Sequence, residues 1–215
     1  WKSADILRGH IDAADYKNYI FGLLFLKRIS DVFKEEAEKI MYETGDKKIA
    51  YDDPDYHDFS VPKRARWDYL KSLTQNIGDA INKANDALEE KNPESLEGVL
   101  STVDFNDKDR LPDHMLSQLI NHFSKIRLRN EDLGKPDILG DAYEYLIAQF
   151  ASSAGKKGGE FYTPKEVVEL LVEILDPKEG MRICDPACGS GGMLIQSVHH
   201  KEKKPFLFSS LAYSY

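Results

Sequence analysis

Apolar residues near the start of the chain return at helical spacing. Tyr16, Tyr19, Ile20, Leu23, Leu24, Phe25, Ile29, Val32 and Phe33 follow the 3.6-residue repeat of a helix with one buried face. Asp12 stands ahead of them as a candidate N-cap, and "KEEAEKI" continues the run as an acidic, exposed end. From Gly45 to Pro62 the repeat stops. That stretch, "GDKKIAYDDPDYHDFSVP", is dense in Asp, Pro and Gly and predicts a loop with at most one short strand. Helical patterns resume at Trp67–Leu70, at Ile77–Leu88 and from Asp113 to Ile126, where Met115, Leu116, Leu119, Ile120 and Phe123 form a stripe. A further stripe, Leu139, Ala142, Tyr143, Leu146, Ile147 and Phe150, predicts a helix over Ile138–Phe150. None of these has catalytic spacing; they predict the core of a helix bundle.

After "ASSAGKKGG", Ala151 to Gly159, which reads as a linker or mobile loop, the pattern changes. "TPKEVVELLVEIL" predicts a helix, with Thr163 as cap, Pro164 at the first helical position and Glu166 completing a capping box. "DPKEG" stops it, "MRICD" reads as a short strand, and "PACGSGG" turns into an apolar helix, "MLIQSV". Helix, strand, glycine-rich turn and helix open a doubly wound, Rossmann-like α/β domain. The expected organisation is a mainly α-helical N-terminal domain over 1–130 and the start of an α/β domain over 131–215.

Composition narrows the class. A hydrophobic fraction of 41% with 31% charged residues is that of a globular protein. The most apolar window, Tyr19–Leu26, is far shorter than the ~20 residues of a membrane span and is closed by Lys27 and Arg28. No membrane contact, no signal peptide and a cytoplasmic location are expected. Two cysteines, Cys184 and Cys188, make no disulfide framework. No second Cys or His pair stands at ligand spacing, His199 and His200 being adjacent, so no metal site is expected. A net charge of −8 excludes a surface built throughout for nucleic acid. Local basic clusters at Lys63, Arg64, Arg66 and at Lys125, Arg127, Arg129 read first as solvated faces.

The glycine loop carries the candidate chemistry. A Walker loop needs Gly-Lys-Ser/Thr, whereas Gly191 and Gly192 precede Met193. A dinucleotide fingerprint counted from Gly189 puts bulky Leu194 at its sixth position, and no basic residue sits in the loop. Asp185, at the carboxyl end of the expected strand, would repel a phosphate and attract an ammonium group. S-adenosylmethionine (SAM) carries an ammonium and a sulfonium and no phosphate. Gly189 and Gly191 would let the backbone approach it closely. The competing reading is a structural strand-to-helix turn with a capping aspartate.

Two ordered motifs then give a resemblance. "GEFYTPKEVVELLVEIL" followed by "DPACGSGGML" resembles the modification (methyltransferase) subunit of type I restriction-modification systems, which are DNA adenine-N6 methyltransferases. "LRGHIDAADYKNYIFGLLFLKRISDVFKE" is similar to that family's helical N-terminal domain and "ILGDAYEYLIAQFA" to its entry into the catalytic domain. The likeness runs from Trp1 to about His200. It implies a SAM site in which Glu160, Phe161, Tyr162, Thr163, Pro164 and Lys165 form the first cofactor segment. Asp185, Gly189, Ser190, Gly191 and Gly192 form the second. It also implies DNA, a specificity subunit and a restriction subunit as partners.

The departures are equally specific. Such enzymes hold the target adenine amine with an Asn-Pro-Pro-aromatic loop, and these 215 residues contain none, nor a second strand with an acid for the ribose. No catalytic residue is therefore assigned. The resemblance predicts a chain truncated after the first glycine motif and inactive alone, with Lys201–Tyr215 unlike the family. A lone strand would leave an apolar face and an edge to be covered by that tail or by self-association. The alternative is a non-catalytic helical module docking a specificity subunit or DNA. A nucleotide-binding oxidoreductase is disfavoured by the sixth loop position.

Overall fold

The computed structural model describes residues 2–12, 15–133, 163, 165–188 and 191–202. The chain divides into two compact units, Trp1–Gly155 and Lys156–Tyr215. The helix expected over Ile138–Phe150 and the linker Ala151–Gly159 lie outside the described residues, as does the tail beyond Glu202.

In the first unit the described helices are α1 (Lys2–Leu7), α2 (Tyr16–Thr44), α3 (Lys47–Asp52), α4 (Trp67–Ser72), α5 (Ile77–Lys91), α6 (Pro93–Leu96) and α7 (Asp113–Phe123). The long α2 is the axis: α1, α3, α4 and α7 pack on it, while α5 packs on α4, α6 and α7. Its apolar stripe supplies Tyr19, Ile20, Leu23, Leu26, Ile29 and Phe33 to one core. The α7 stripe joins that core with all five expected residues, Met115, Leu116, Leu119, Ile120 and Phe123. Each fully buried Leu or Ile contributes about 1.5–3 kcal/mol of transfer free energy, so the stripe, rather than helix propensity, holds each short helix in place.

Phe105 ties the coil after α6 into this core. Its ring lies edge-on to Tyr19 at 5.5 Å, and Gly22 on α2 leaves room for it. Its backbone runs so close to α5 that a Cβ on Gly78 would sit 2.1 Å from the Phe105 carbonyl oxygen. The Asn82 side chain completes the contact by accepting the Phe105 N–H at 2.9 Å.

Several boundaries differ from the sequence expectation, each for a local reason. Asp12 does not cap the long helix; its carbonyl accepts Asp15 N–H at 2.9 Å, and α2 begins at Tyr16. The "KEEAEKI" end is not simply exposed, since Glu35, Ala37 and Ile40 are buried. Within Gly45–Pro62 a short helix forms, with no strand among the described residues. Asp46 accepts Lys48 and Ile49 N–H groups, and Ala50 is the buried residue of α3. The Asp113–Ile126 helix stops at Phe123 because Ser124 turns its hydroxyl back to the Ile120 carbonyl at 2.7 Å.

In the second unit α8 (Lys165–Leu175) and α9 (Gly192–Glu202) pack against each other, with Val168, Val172 and Ser197 buried. Asp176 closes α8 in a left-handed conformation (φ 41°), its N–H on the Val172 carbonyl. The strand expected at "MRICD" is not formed: residues 181–185 carry no strand assignment, and no sheet exists among the described residues. A strand is completed by a neighbour's backbone, and none is paired with this segment among the described residues. A Rossmann-like sheet is therefore an expectation the described fold does not contain.

Candidate functional site

The loop between residue 181 and α9 is organised by its own backbone. Asp185 Oδ1 accepts the Ala187 N–H at 3.0 Å, so this carboxylate does shape the turn. Gly191 N–H bonds the Cys188 carbonyl at 2.8 Å, and the Gly191 carbonyl receives the Ile195 N–H at 2.9 Å. Gly191 thus stands at the mouth of α9 with φ 78°, a conformation that a side chain would strain. Among the described residues a Cβ there would meet Ile195 Cδ1, at 4.0 Å, and one on Gly192 would meet nothing within 4 Å. The first N–H groups of a helix have no partner within the helix and can serve an oxygen-bearing group.

Of the residues named from the sequence, Asp185, Gly191 and Gly192 fall within the described residues of this segment. Thr163 precedes α8, and Lys165 is its first residue. Glu160, Phe161, Tyr162, Pro164, Gly189 and Ser190 lie outside the described residues. Cys184 and Cys188 are both exposed.

One contact in this unit has no sequence signal. His200, on the last part of α9, places Nε2 3.2 Å from Asp176 Oδ1, just past the end of α8. Nothing in a spacing of 24 residues announces that pair.

The arginines of both basic clusters have partners within the first unit. Arg66 turns inward, donating to the Tyr51 carbonyl at 2.7 Å and the Val61 carbonyl at 3.2 Å, with its guanidinium over Phe33. Arg64 pairs with Glu90 at 3.8 Å. Arg127 pairs with Asp132, and Arg129 meets both oxygens of Glu38 at 2.7 and 3.0 Å. The second cluster belongs to a strap laid along α2, where Asp31 accepts Leu128 N–H at 2.8 Å and Glu35 accepts Asn130 N–H at 2.7 Å. These arginines fasten the fold. Among the described residues no helix is long and apolar enough to cross a membrane.

Two family models match in sequence order. One, described as the HsdM N-terminal domain, covers residues 1–123, and the other, N-6 DNA Methylase, covers residues 134–208. The chain belongs to the methylase-subunit family of type I restriction enzymes. Among its relatives, the MjaIX methylase subunit of Methanocaldococcus jannaschii is 35% identical over 95% of this chain and 39% of its own length. The MpnII methylase subunit of Mycoplasma pneumoniae is 29% identical over 92% of this chain and 43% of its own length. The HindI methylase subunit of Haemophilus influenzae is 35% identical over 64% of this chain and 34% of its own length. The chain thus spans between 34% and 43% of the length of these type I methylase subunits. The glycine loop falls inside the N-6 DNA Methylase match, and the α2-centred bundle inside the HsdM match.

Proposed function

We propose that this chain is the helical N-terminal domain, over 1–130, and the first cofactor-binding part, over 131–215, of a type I modification methyltransferase. The whole enzyme transfers a methyl group from SAM to adenine N6 in a specific DNA sequence. It works with a specificity subunit and a restriction subunit, in the cytoplasm. The observation that carries the reading is the ordered pair of family matches, with Asp185 set at the head of a glycine turn inside the second.

Two features support SAM over a phosphate ligand. Asp185 offers a carboxylate for the ammonium group, with no basic residue beside it in the loop. Among the described residues nothing stands within 4 Å of a Cβ on Gly192, at the start of α9, whose first N–H groups would receive the methionine carboxylate. Glu160, Phe161, Tyr162, Thr163, Pro164 and Lys165, with Gly189 and Ser190, are proposed as the remaining cofactor contacts. When bound, SAM supplies the electrophilic methyl. The protein's part is to hold cofactor and amine in line, which is a positioning task with no covalent enzyme intermediate.

These 215 residues contain no Asn-Pro-Pro-aromatic loop to hold the amine, so methyl transfer by the purified chain is expected to be negligible. Incubation with labelled SAM and duplex DNA tests this: no label in DNA is expected, and turnover above background overturns it. For the 215-residue chain itself the second reading, a docking module for a specificity subunit or DNA, rests on the first unit's continuous buried core. Co-sedimentation with a specificity subunit supports that reading, and binding to neither partner contradicts it.

A further inference from the structure

The sequence reading assigns no role to His57, and the proposed methyl transfer uses none. Its side chain is only 1% exposed, and both ring nitrogens are engaged by different elements. Nε2 lies 3.1 Å from the Ala50 carbonyl of α3, and Nδ1 lies 3.1 Å from Glu36 Oε2 of α2. The ring also lies against Phe33, with centroids 4.3 Å apart.

The chemistry of the two partners fixes the proton count. A carbonyl oxygen only accepts, so Nε2 carries a hydrogen. Nδ1 and Oε2 then need one further proton between them. It sits on the ring, giving an imidazolium–carboxylate pair, or on the carboxyl group, giving a neutral pair. Without it the neutral ring has one N–H for two acceptors, so a nitrogen lone pair faces either the Glu36 carboxylate or the Ala50 carbonyl across 3.1 Å, and one of the two bonds is lost.

We propose that His57 and Glu36 form a proton-dependent latch that fastens the segment around residues 53–60 to α2 and opens as pH rises. Asp58, next to His57 in the chain, adds a negative charge and a side-chain hydrogen bond at Glu36, and both favour holding that proton. On the adjoining elements Tyr51 lies edge-on to Phe33, and the Arg66 guanidinium, over the same ring and paired with Asp52 at 3.9 Å, is a cation that does not favour it. Burial first, and Asp58 with it, push the Glu36 carboxyl above its ordinary value, against the opposing pull of His57. Removal of the proton costs one of the two ring-nitrogen bonds and leaves the other with the Phe33–His57 contact, which carries no charge requirement.

The sign follows from the count. The latch is intact with one proton in the contact and remains so when a second is added, because a neutral carboxyl oxygen still accepts from Nδ1–H. Stability from the latch is therefore present at low pH and lost as pH rises through the value at which the folded pair gives up its proton. Glu36→Gln is the diagnostic change, since an amide N–H donates to neutral Nδ1 with no added proton.

The test is amide hydrogen exchange of residues 53–60 in the 215-residue chain between about pH 5 and about pH 9, corrected for intrinsic exchange. In the unaltered chain, protection of this segment is expected to fall several-fold relative to α5 across that range. In Glu36→Gln it should stay level, and in His57→Phe it should be low throughout. Equal pH profiles for the unaltered chain and Glu36→Gln overturn the proposal. Should Glu36→Gln fail to fold, the nitrogen-15 shifts of His57 decide: Nδ1 losing its proton while segment protection is unchanged also overturns it.

Discussion

The Asp113 carboxylate caps a helix to which it does not belong. Its Oδ2 accepts the Asn76 N–H at 2.9 Å and its Oδ1 the Ile77 N–H at 2.8 Å, although Asp113 is the first residue of α7 and Asn76 the N-cap of α5. Asn76 cannot cap for itself, being held in a left-handed conformation at φ 52°. One side chain thus satisfies two orphan amides and fixes how α5 and α7 start relative to each other. Asp113→Ala should destabilise the first unit by about 1–3 kcal/mol, and Asp113→Asn by less, because it keeps one acceptor. Urea midpoints check both; an unchanged midpoint for the alanine variant contradicts this role.

Gly78 makes a second prediction of opposite sense to helix propensity. In an exposed helix interior Gly→Ala gains about 1 kcal/mol. Here the new Cβ would lie 2.1 Å from the Phe105 carbonyl, a backbone atom that cannot rotate away. Gly78→Ala is expected to cost at least about 2 kcal/mol or to prevent folding. A raised melting temperature would show that the α5–Phe105 approach is wrong.

Acid should loosen two carboxylate clasps. Burial tends to raise Glu35, but the Asn130 amide and Lys39 outweigh it and hold its carboxyl below the ordinary value. Glu89 behaves alike: burial opposes, and the Ser101 and Leu100 amides win. Both contribute stability that is complete above the unfolded value of about 4.3 and lost as pH falls through the depressed folded value. Glu35→Gln should flatten part of the decline in melting temperature below about pH 4. The same acid slope in variant and parent would contradict the strap contact.

The second unit exposes several large apolar side chains. Ile174 and Leu175 on α8 are 71% and 74% exposed, with Leu170, Met181, Ile195 and Val198 also exposed. Such side chains promote association. Sedimentation of the 215-residue chain is expected to show concentration-dependent self-association, reduced by Ile174→Glu with Leu175→Glu. A monomer at all concentrations would contradict this.

What was readable in the sequence follows from where each signal resides. The α2 and α7 stripes are periodic, local and buried as a set, so Leu23, Leu26, Leu116 and Leu119 declare their helices. The α3 helix was not readable, because a cap at Asp46 and burial of Ala50 outweigh a composition of loop residues. The "MRICD" strand failed as an expectation because pairing is a property of neighbours, not of five residues. In the candidate site, the loop at Asp185 and Gly191 follows from short-range chemistry. The His200–Asp176 and His57–Glu36 pairs depend on tertiary approach that no spacing encodes.

The central claim is that the turn from Asp185 to Gly192 is built for SAM and not for a nucleotide phosphate. Calorimetric titration of the 215-residue chain with SAM and, separately, with NAD tests it most directly. SAM is expected to bind and to lose at least about tenfold in affinity in Asp185→Ala, as removal of a charge-assisted partner implies, with no heat from NAD. Binding of NAD, or SAM affinity unchanged in Asp185→Ala, would contradict the account.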